Sequence, residues 1–410
     1  MADRVDVIIV GGGIGGSSLG SKLSKAGLDV LILERETEFT DRVRGEWIAP
    51  WGVSELKTLG LYEPFMNAGG HHITRAINYD ETVSPEVAEA RMTPLDFHKG
   101  IPGPLTIEHV TMQNVALEQA VKNGVLVKRG VEKVSIRSGH SPAVSFSFDG
   151  ARHDYDCRLI VGADGRTSTV RRQSGLQLEE DPLDHLMSGL LVEGVDEWPD
   201  DLQATGKVGD IHYLVFPQGD GKVRLYVDYD ISDRNRFAGE HGAANMLAAF
   251  NMPCVPHSQS IADSTPIGPC RSNPSQDAWI DNPWIEGVVL IGDAAGYNDP
   301  ILGQGLSVTA RDARMVGDIL IRHPQWSSDI FVPYGEERKE RLRRLRQVAR
   351  FVTVLNARFG TDAEARRIRG MKKMADNPEL RGIGRAGFSG PESLDARYFE
   401  DSFREHVFSA

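Results

Sequence analysis

Residues 5–34 constrain the fold of this chain more than any other stretch. Residues 5–10 read as an apolar strand, and Gly11-Gly12-Gly13-Ile14-Gly15-Gly16 follows at once. Leu19, Leu23 and Ala26 then recur at helical spacing, Gly27 stops the helix, and residues 30–33 form a second strand ending at Glu34. The pattern is a βαβ unit carrying G-x-G-x-x-G at Gly11, Gly13 and Gly16. Gly11 serves the tight turn, Gly13 the approach of backbone to a pyrophosphate, and Gly16 the close packing of helix on strand. Glu34 stands where an acid accepts from a ribose hydroxyl, which fits FAD or NAD better than NADP.

Two further strands end in the same way. Residues 159–164 (LIVGAD) run into Gly165, and D-G-x-x-S-x-x-R spacing then brings Asp164, Ser168 and Arg171 around one turn. Residues 288–291 are apolar and end in Gly292-Asp293. A Gly- and Pro-punctuated loop follows, with Pro300, Gly303 and Gly305, and helical spacing resumes from Leu306. A glycine loop opening a helix gathers backbone N–H groups and a positive helix end at one point. That suits an anionic or electron-accepting ring better than a metal.

Composition removes several alternatives. A net charge of −12 speaks against broad binding to nucleic acid. Cys157, Cys254 and Cys270 have no C-x-x-C or metal spacing, and His71-His72 has no suitably spaced partner, so no metal is expected. No apolar run is long enough to span a membrane, and the N-terminus passes directly into a strand; a reduced, cytoplasmic protein is the expectation.

Between residues 181 and 283 the texture changes. Residues 211–217 and 223–229 alternate across Gln218-Gly219-Asp220-Gly221 as a hairpin. Alternation places Tyr213 with Val215 on one face and Leu214 with Phe216 on the other. Residues 336–351 (EERKERLRRLRQVARF) spell a helix with a basic face, read as solvated and paired with its own glutamates. The expected division assigns 1–72, 105–182 and 284–355 to a dinucleotide-binding domain, 73–104 and 183–283 to an inserted antiparallel-sheet domain, and 356–410 to a helical tail.

Taken in order, Gly11–Gly16 with Glu34, Asp164-Gly165 with Ser168 and Arg171, and Gly292-Asp293 with Pro300, Gly303 and Gly305 closely resemble the single-component, class A flavoprotein monooxygenases, typified by para-hydroxybenzoate hydroxylase. The resemblance covers roughly residues 5–320. It implies an α/β fold: a Rossmann FAD-binding domain of the glutathione-reductase type, an inserted antiparallel-sheet substrate domain, and C-terminal helices. It also implies non-covalent FAD held by Gly11, Gly13, Gly15, Gly16, Glu34, Arg35, Arg44, Gln113, Asp164, Gly292, Asp293, Pro300, Gly303, Gly305 and Leu306. Gln113 takes a place where the family has an arginine. Pro300, Gly303 and Gly305 position the flavin ring, and Tyr213, Phe216, Pro217 and Tyr226 are the expected substrate-pocket residues.

The implied reaction is hydroxylation or epoxidation of an organic, aromatic or conjugated substrate, with NAD(P)H as electron donor and O2 activated at flavin C4a. The protein is expected as a monomer or homodimer. Gln304 and Asp312-Ala313 keep the hydroxylase form. Gly296, where the family has His, and Asp299-Pro300 resemble flavin halogenases and geranylgeranyl reductases instead, and the halogenase signature W-x-W-x-I-P is absent. The missing His is read as leaving room for a substrate larger than a simple phenol. Halogenase, double-bond reductase and, last, a non-enzymatic FAD redox sensor are the competing readings.

Overall fold

The computed structural model describes residues 3–43 and 45–409. Its central sheet has six strands, in the order Trp284–Ile285, Val288–Leu290, Leu159–Gly162, Val7–Val10, Val30–Glu34, Leu126–Arg129. All pairs are parallel except the edge pair Trp284–Ile285 with Val288–Leu290. Val7, Ile8 and Ile9 are wholly buried, as a parallel strand covered on both faces requires. Helices Ile14–Lys25, His109–Lys122 and Gly305–Arg322 pack together over this sheet.

Register brings the three sequence motifs together. Gly162 pairs with Val10 on one side and Leu290 on the other. The residues that follow, Gly11, Ala163 and Ile291, therefore leave the sheet side by side at its carboxyl edge, where open α/β sheets bind ligands. Gly11 has φ of +106°, and a Cβ there would lie 2.3 Å from the Ala163 carbonyl oxygen. Only glycine satisfies both conditions.

The second large sheet is built from Thr265–Pro266, His185–Glu193, Lys222–Asp230, Ile211–Gly219, Leu202–Val208, Arg75–Asn78 and Thr93–Pro94, with Arg271–Ser275 also paired to His185–Glu193. It is antiparallel except for one parallel pair, Leu202–Val208 with Arg75–Asn78. One face carries its own core, including Leu190, Tyr213, Val215, Leu225, Val227, Phe237 and Phe250. The other face looks toward the carboxyl edge of the parallel sheet.

Helix Val332–Asn356 is longer than the spacing suggested, and its basic face is not solvated. Arg338 and Arg341 are 1 % and 2 % exposed, whereas Arg343 and Arg344 do pair with Glu340 on the same helix. Beyond it, helices Thr361–Asp376 and Asp401–Phe408 dock through Met374, Val407 and Phe408, with Phe399 of the turn between them, onto Val348 and Phe351. No helix among the described residues is long and apolar enough to cross a membrane.

Candidate functional site

Helix Ile14–Lys25 begins at Gly13 with no side-chain cap and no acid in its first turn, so its N-terminal N–H groups lack a side-chain acceptor there. A Cβ at Gly13 would meet only Gln113 Nε2, 3.9 Å away. The uncapped helix end thus faces open space edged by Gln113, as a pyrophosphate needs. Glu34 is buried beside it: Oε2 accepts from Gly12 N at 2.7 Å and Oε1 from Glu36 N at 2.8 Å. Arg35 projects outward with its side chain 71 % exposed and pairs with Glu36, as Arg42 does. Arg44 lies outside the described residues. At Gly15 a Cβ would stand 2.7 Å from Thr309 Cγ2, so this glycine also lets helix Ile14–Lys25 pack closely on helix Gly305–Arg322.

The second strand end is a self-contained turn. Asp164 accepts from Ser168 Oγ at 2.5 Å and from the Thr169 and Val170 amides at 2.6 and 3.2 Å. Ser168 caps the short helix Thr169–Gln173 by accepting from Arg171 N. Asp164 therefore shapes the turn with both carboxylate oxygens. Arg171 is not a free cation: it is 7 % exposed and donates to the carbonyls of Ala294 and Arg166. Arg166 reaches Asp293 Oδ2 at 3.3 Å, joining the second motif to the third.

At the third strand end Gly292 N donates to Asp312 Oδ2 at 2.9 Å. Asp312 is fully buried on helix Gly305–Arg322 and is paired with Arg338 at 2.9 Å and Arg341 at 2.7 Å. These arginines were missed because a run of charge reads as solvent-facing. The available signal was Asp312 itself, a carboxylate among Val308, Ala313 and Val316 that needed a buried cation. Gly296 has φ of +117°, and a Cβ there would lie 2.5 Å from the Ala278 carbonyl oxygen. Strand Ala278–Trp279 pairs with Gly296–Tyr297 and fills that space, so the missing His opens no room for substrate.

The following loop is anchored on both sides. Asp299 caps the 3-10 turn Pro300–Leu302 through Ile301 N at 3.0 Å and lies 3.2 Å from His185 Nε2 of the second sheet. Burial, then the Asp299 charge, pushes Asp277 up to about 7, and Asp277 Oδ1 accepts from Asn298 Nδ2 and Asp299 N. Burial pulls His185 down, but the hydrogen bond of Nδ1 to Asp184 and the neighbouring Asp299 carboxylate outweigh that and raise it to about 10. Both groups line a cavity of about 390 Å³ that also includes Arg350 and Arg358. Gly303 is left-handed, and a Cβ on it would press on the Trp47 ring at 3.0 Å. Gln304 bonds Leu302, Gly387 and Trp51. Helix Gly305–Arg322 then starts without a side-chain cap, with open space in front of Gly305 and Leu306 beside Gly45.

Across from this loop the second sheet presents Met187, Leu214, Phe216 and Tyr226, packed with Val43. Phe216 lies 6.2 Å from the Trp47 ring, and Phe388 lies 5.7 Å from Trp47 and 5.1 Å from Phe97. Alternation paired these residues correctly, and burial decides which pair faces the site. Tyr213 faces away: it is wholly buried in the sheet's own core and donates to the Tyr79 carbonyl at 2.9 Å. Its placement in the pocket is corrected. Pro217 contributes its carbonyl, which accepts from Thr106 Oγ1 at 2.8 Å. Arg224 ties this sheet to Glu46, just before strand Trp47–Ile48, by a buried pair with both carboxylate oxygens at 2.7 and 2.8 Å. His71 and His72 make ordinary contacts, to the Asp200 carbonyl and to Tyr62 and the Gly103 carbonyl.

Two uncapped helix ends, open space at Gly13 and Gly305, and the buried carboxylate of Glu34 lie along the elements that leave one edge of the parallel sheet. The fold and this edge define an α/β dinucleotide-binding flavoprotein. The chain belongs to the FAD binding domain family, which it matches over residues 4–227. It is 25% identical over 356 residues to 3-hydroxybenzoate 6-hydroxylase of Klebsiella oxytoca, covering 84% of this chain and 87% of that protein. It is also 25% identical over 344 residues to digeranylgeranylglycerophospholipid reductase 2 of Methanothermobacter thermautotrophicus, covering 77% of each. The fold superposes on p-nitrophenol 4-monooxygenase from Pseudomonas putida with a TM-score of 0.76 at 17% identity, over 97% of this chain and 98% of that one.

Proposed function

We propose that the protein is an FAD-dependent monooxygenase that uses NAD(P)H and O2 to hydroxylate or epoxidise an aromatic or conjugated organic substrate. The observation that carries this reading is the pairing of an uncapped, glycine-faced helix end at Gly305 with an aromatic wall of Trp47, Phe97, Phe216, Tyr226 and Phe388. The family relationship supplies the cofactor half of the argument and the hydroxylase relative supports the reaction class.

FAD, when bound, supplies the two-electron chemistry that links the nicotinamide donor to O2. The chain's own part is placement and electrostatics. Gly13 and the first turn of helix Ile14–Lys25 take the pyrophosphate, and Glu34 orients the ribose. Asp293, steadied by Arg166, serves the ribityl side. The positive end of helix Gly305–Arg322, with open space in front of Gly305, would stabilise negative charge on the ring. Trp47, Phe216 and Phe388 would exclude water from the pocket beside this loop, where a wet site would waste the activated oxygen. Residues 73–104 and 183–283 form the substrate-binding part in this reading.

The reductase relative, similar over most of both chains, favours saturation of an isoprenoid double bond as the second reading. A panel of aromatic and polyunsaturated compounds, scored for stimulated NAD(P)H oxidation in air and under argon with mass analysis of product, separates the two. Oxygenated product formed only in air supports the monooxygenase; a product two hydrogens heavier, formed under argon, replaces it with the reductase.

A further inference from the structure

The turn that carries Asp293 is held from behind by buried guanidinium groups. Arg338, 1 % exposed, donates from Nη1 to the Ala295 carbonyl at 2.9 Å and from Nη2 to the Gly296 and Gly292 carbonyls at 3.0 and 3.2 Å. Its Nε completes the set with Asp312 Oδ2 at 2.9 Å. Arg171 takes the Ala294 carbonyl at 3.0 Å. Four carbonyl oxygens of one short turn are thus directed into arginines from two different elements. In a trans peptide the N–H points opposite to its carbonyl, so the Asp293 N–H, paired in one plane with the Gly292 carbonyl, is turned away from Arg338.

Arg341 supplies an internal comparison. It is equally buried and meets the other oxygen of Asp312 at 2.7 Å, but its remaining bonds go to Glu337 and the Val308 carbonyl. Both arginines neutralise Asp312, and Arg338 alone of the two also grips the 292–296 turn.

We infer that Arg338 is a positioning residue for the cofactor: it fixes the 292–296 turn, and through it Asp293, in the geometry that FAD binding requires. The inference rests on the FAD reading above. A single arginine on a helix remote in sequence thereby sets the shape of the third motif. The planar fork matters as well as the charge, because three carbonyls are held at once.

The test is the dissociation constant for FAD, measured by fluorescence titration of apoprotein, beside the melting temperature of the same apoprotein. R338M and R341M each remove one of the two cations on Asp312, so both lower the melting temperature to a similar degree. R338M is expected to raise the FAD dissociation constant about tenfold or more, and R341M by less than about threefold. D293A is expected to weaken FAD about as much as R338M, and the double variant no more than the worse single one, since both act at one contact. Equal losses in R338M and R341M, or additive losses in the double variant, would overturn the inference. Should R338M fail to fold, R338K keeps the charge and loses the fork. An intermediate rise then supports the inference, and unaltered FAD affinity overturns it. Wild-type protein with no FAD affinity overturns the cofactor reading itself, and this inference with it.

Discussion

The side-chain amide of Gln304 donates to the Gly387 carbonyl at 3.0 Å, so the loop bordering the candidate site is fastened to a segment 83 residues further along the chain. Gln304 also accepts from Trp51 Nε1 at 2.9 Å. The neighbouring Phe388 ring lies edge-on to Trp47. The C-terminal part of the chain therefore supplies one wall of the candidate pocket. Phe388→Ala is expected to lower stability by about 2 kcal/mol, less than a fully buried Phe because the ring is half-buried. It should also shift turnover toward bulkier compounds. Urea unfolding and a size-graded substrate panel check this, and an unaltered stability together with an unaltered panel would remove Phe388 from the wall.

Gly13 and Gly16 belong to one motif yet predict different failures. At Gly13 the backbone is extended and a Cβ meets nothing closer than 3.9 Å, so Gly13→Val leaves a folded protein whose new side chain occupies the cofactor's space. At Gly16 a Cβ would stand 2.0 Å from the Gly11 carbonyl oxygen, so Gly16→Val breaks helix–strand packing. Circular dichroism and flavin content separate the two: Gly13→Val is expected folded and colourless, Gly16→Val unfolded or insoluble. Stoichiometric flavin in Gly13→Val would show the first motif to be misassigned.

Stability should fall as pH rises, in two stages. Asp277 titrates near 7 in the folded protein against 3.8 as its ordinary value, so the folded state binds the extra proton between these values. Stability is therefore lost as pH rises through about 4 to 7. His185 is raised to about 10 from 6.5, so its contribution is complete below 6.5 and is lost as pH climbs toward 10. Asp277→Asn keeps an acceptor for Asn298 and Asp299 while removing the titration. Melting temperature recorded from pH 5 to pH 9 should flatten in its lower half in that variant and keep its upper slope. An unchanged lower half would mean that Asp277 does not hold the proton.

Much of this architecture was legible because it is local. Each strand end announces itself by an apolar run breaking at glycine and a carboxylate, and the hairpin at residues 211–230 by alternation and its glycine turn. Long-range partners were not legible. Tyr213 and Phe216 sit on opposite faces by rule, but only the packing of Phe250 and Phe237 against one face assigns Tyr213 to the core. Gly296 looked like lost bulk, because nothing nearby in sequence reveals that Ala278 and Trp279 press against it. Arg338 and Arg341 looked solvated because their partner, Asp312, lies on another helix. Charge patterning describes one element at a time, and burial is decided by two.

In the proposed reaction the site transfers an oxygen atom from O2 to an organic substrate. Single-turnover reaction of the reduced, FAD-loaded protein with 18O2 and a compound that stimulates NAD(P)H oxidation tests it most directly, read by mass spectrometry of the product. The expected product is heavier by one 18O atom, forms without halide and is absent under argon. Product that carries no 18O, or that forms equally well without oxygen, would contradict the monooxygenase reading while leaving the FAD-binding fold in place.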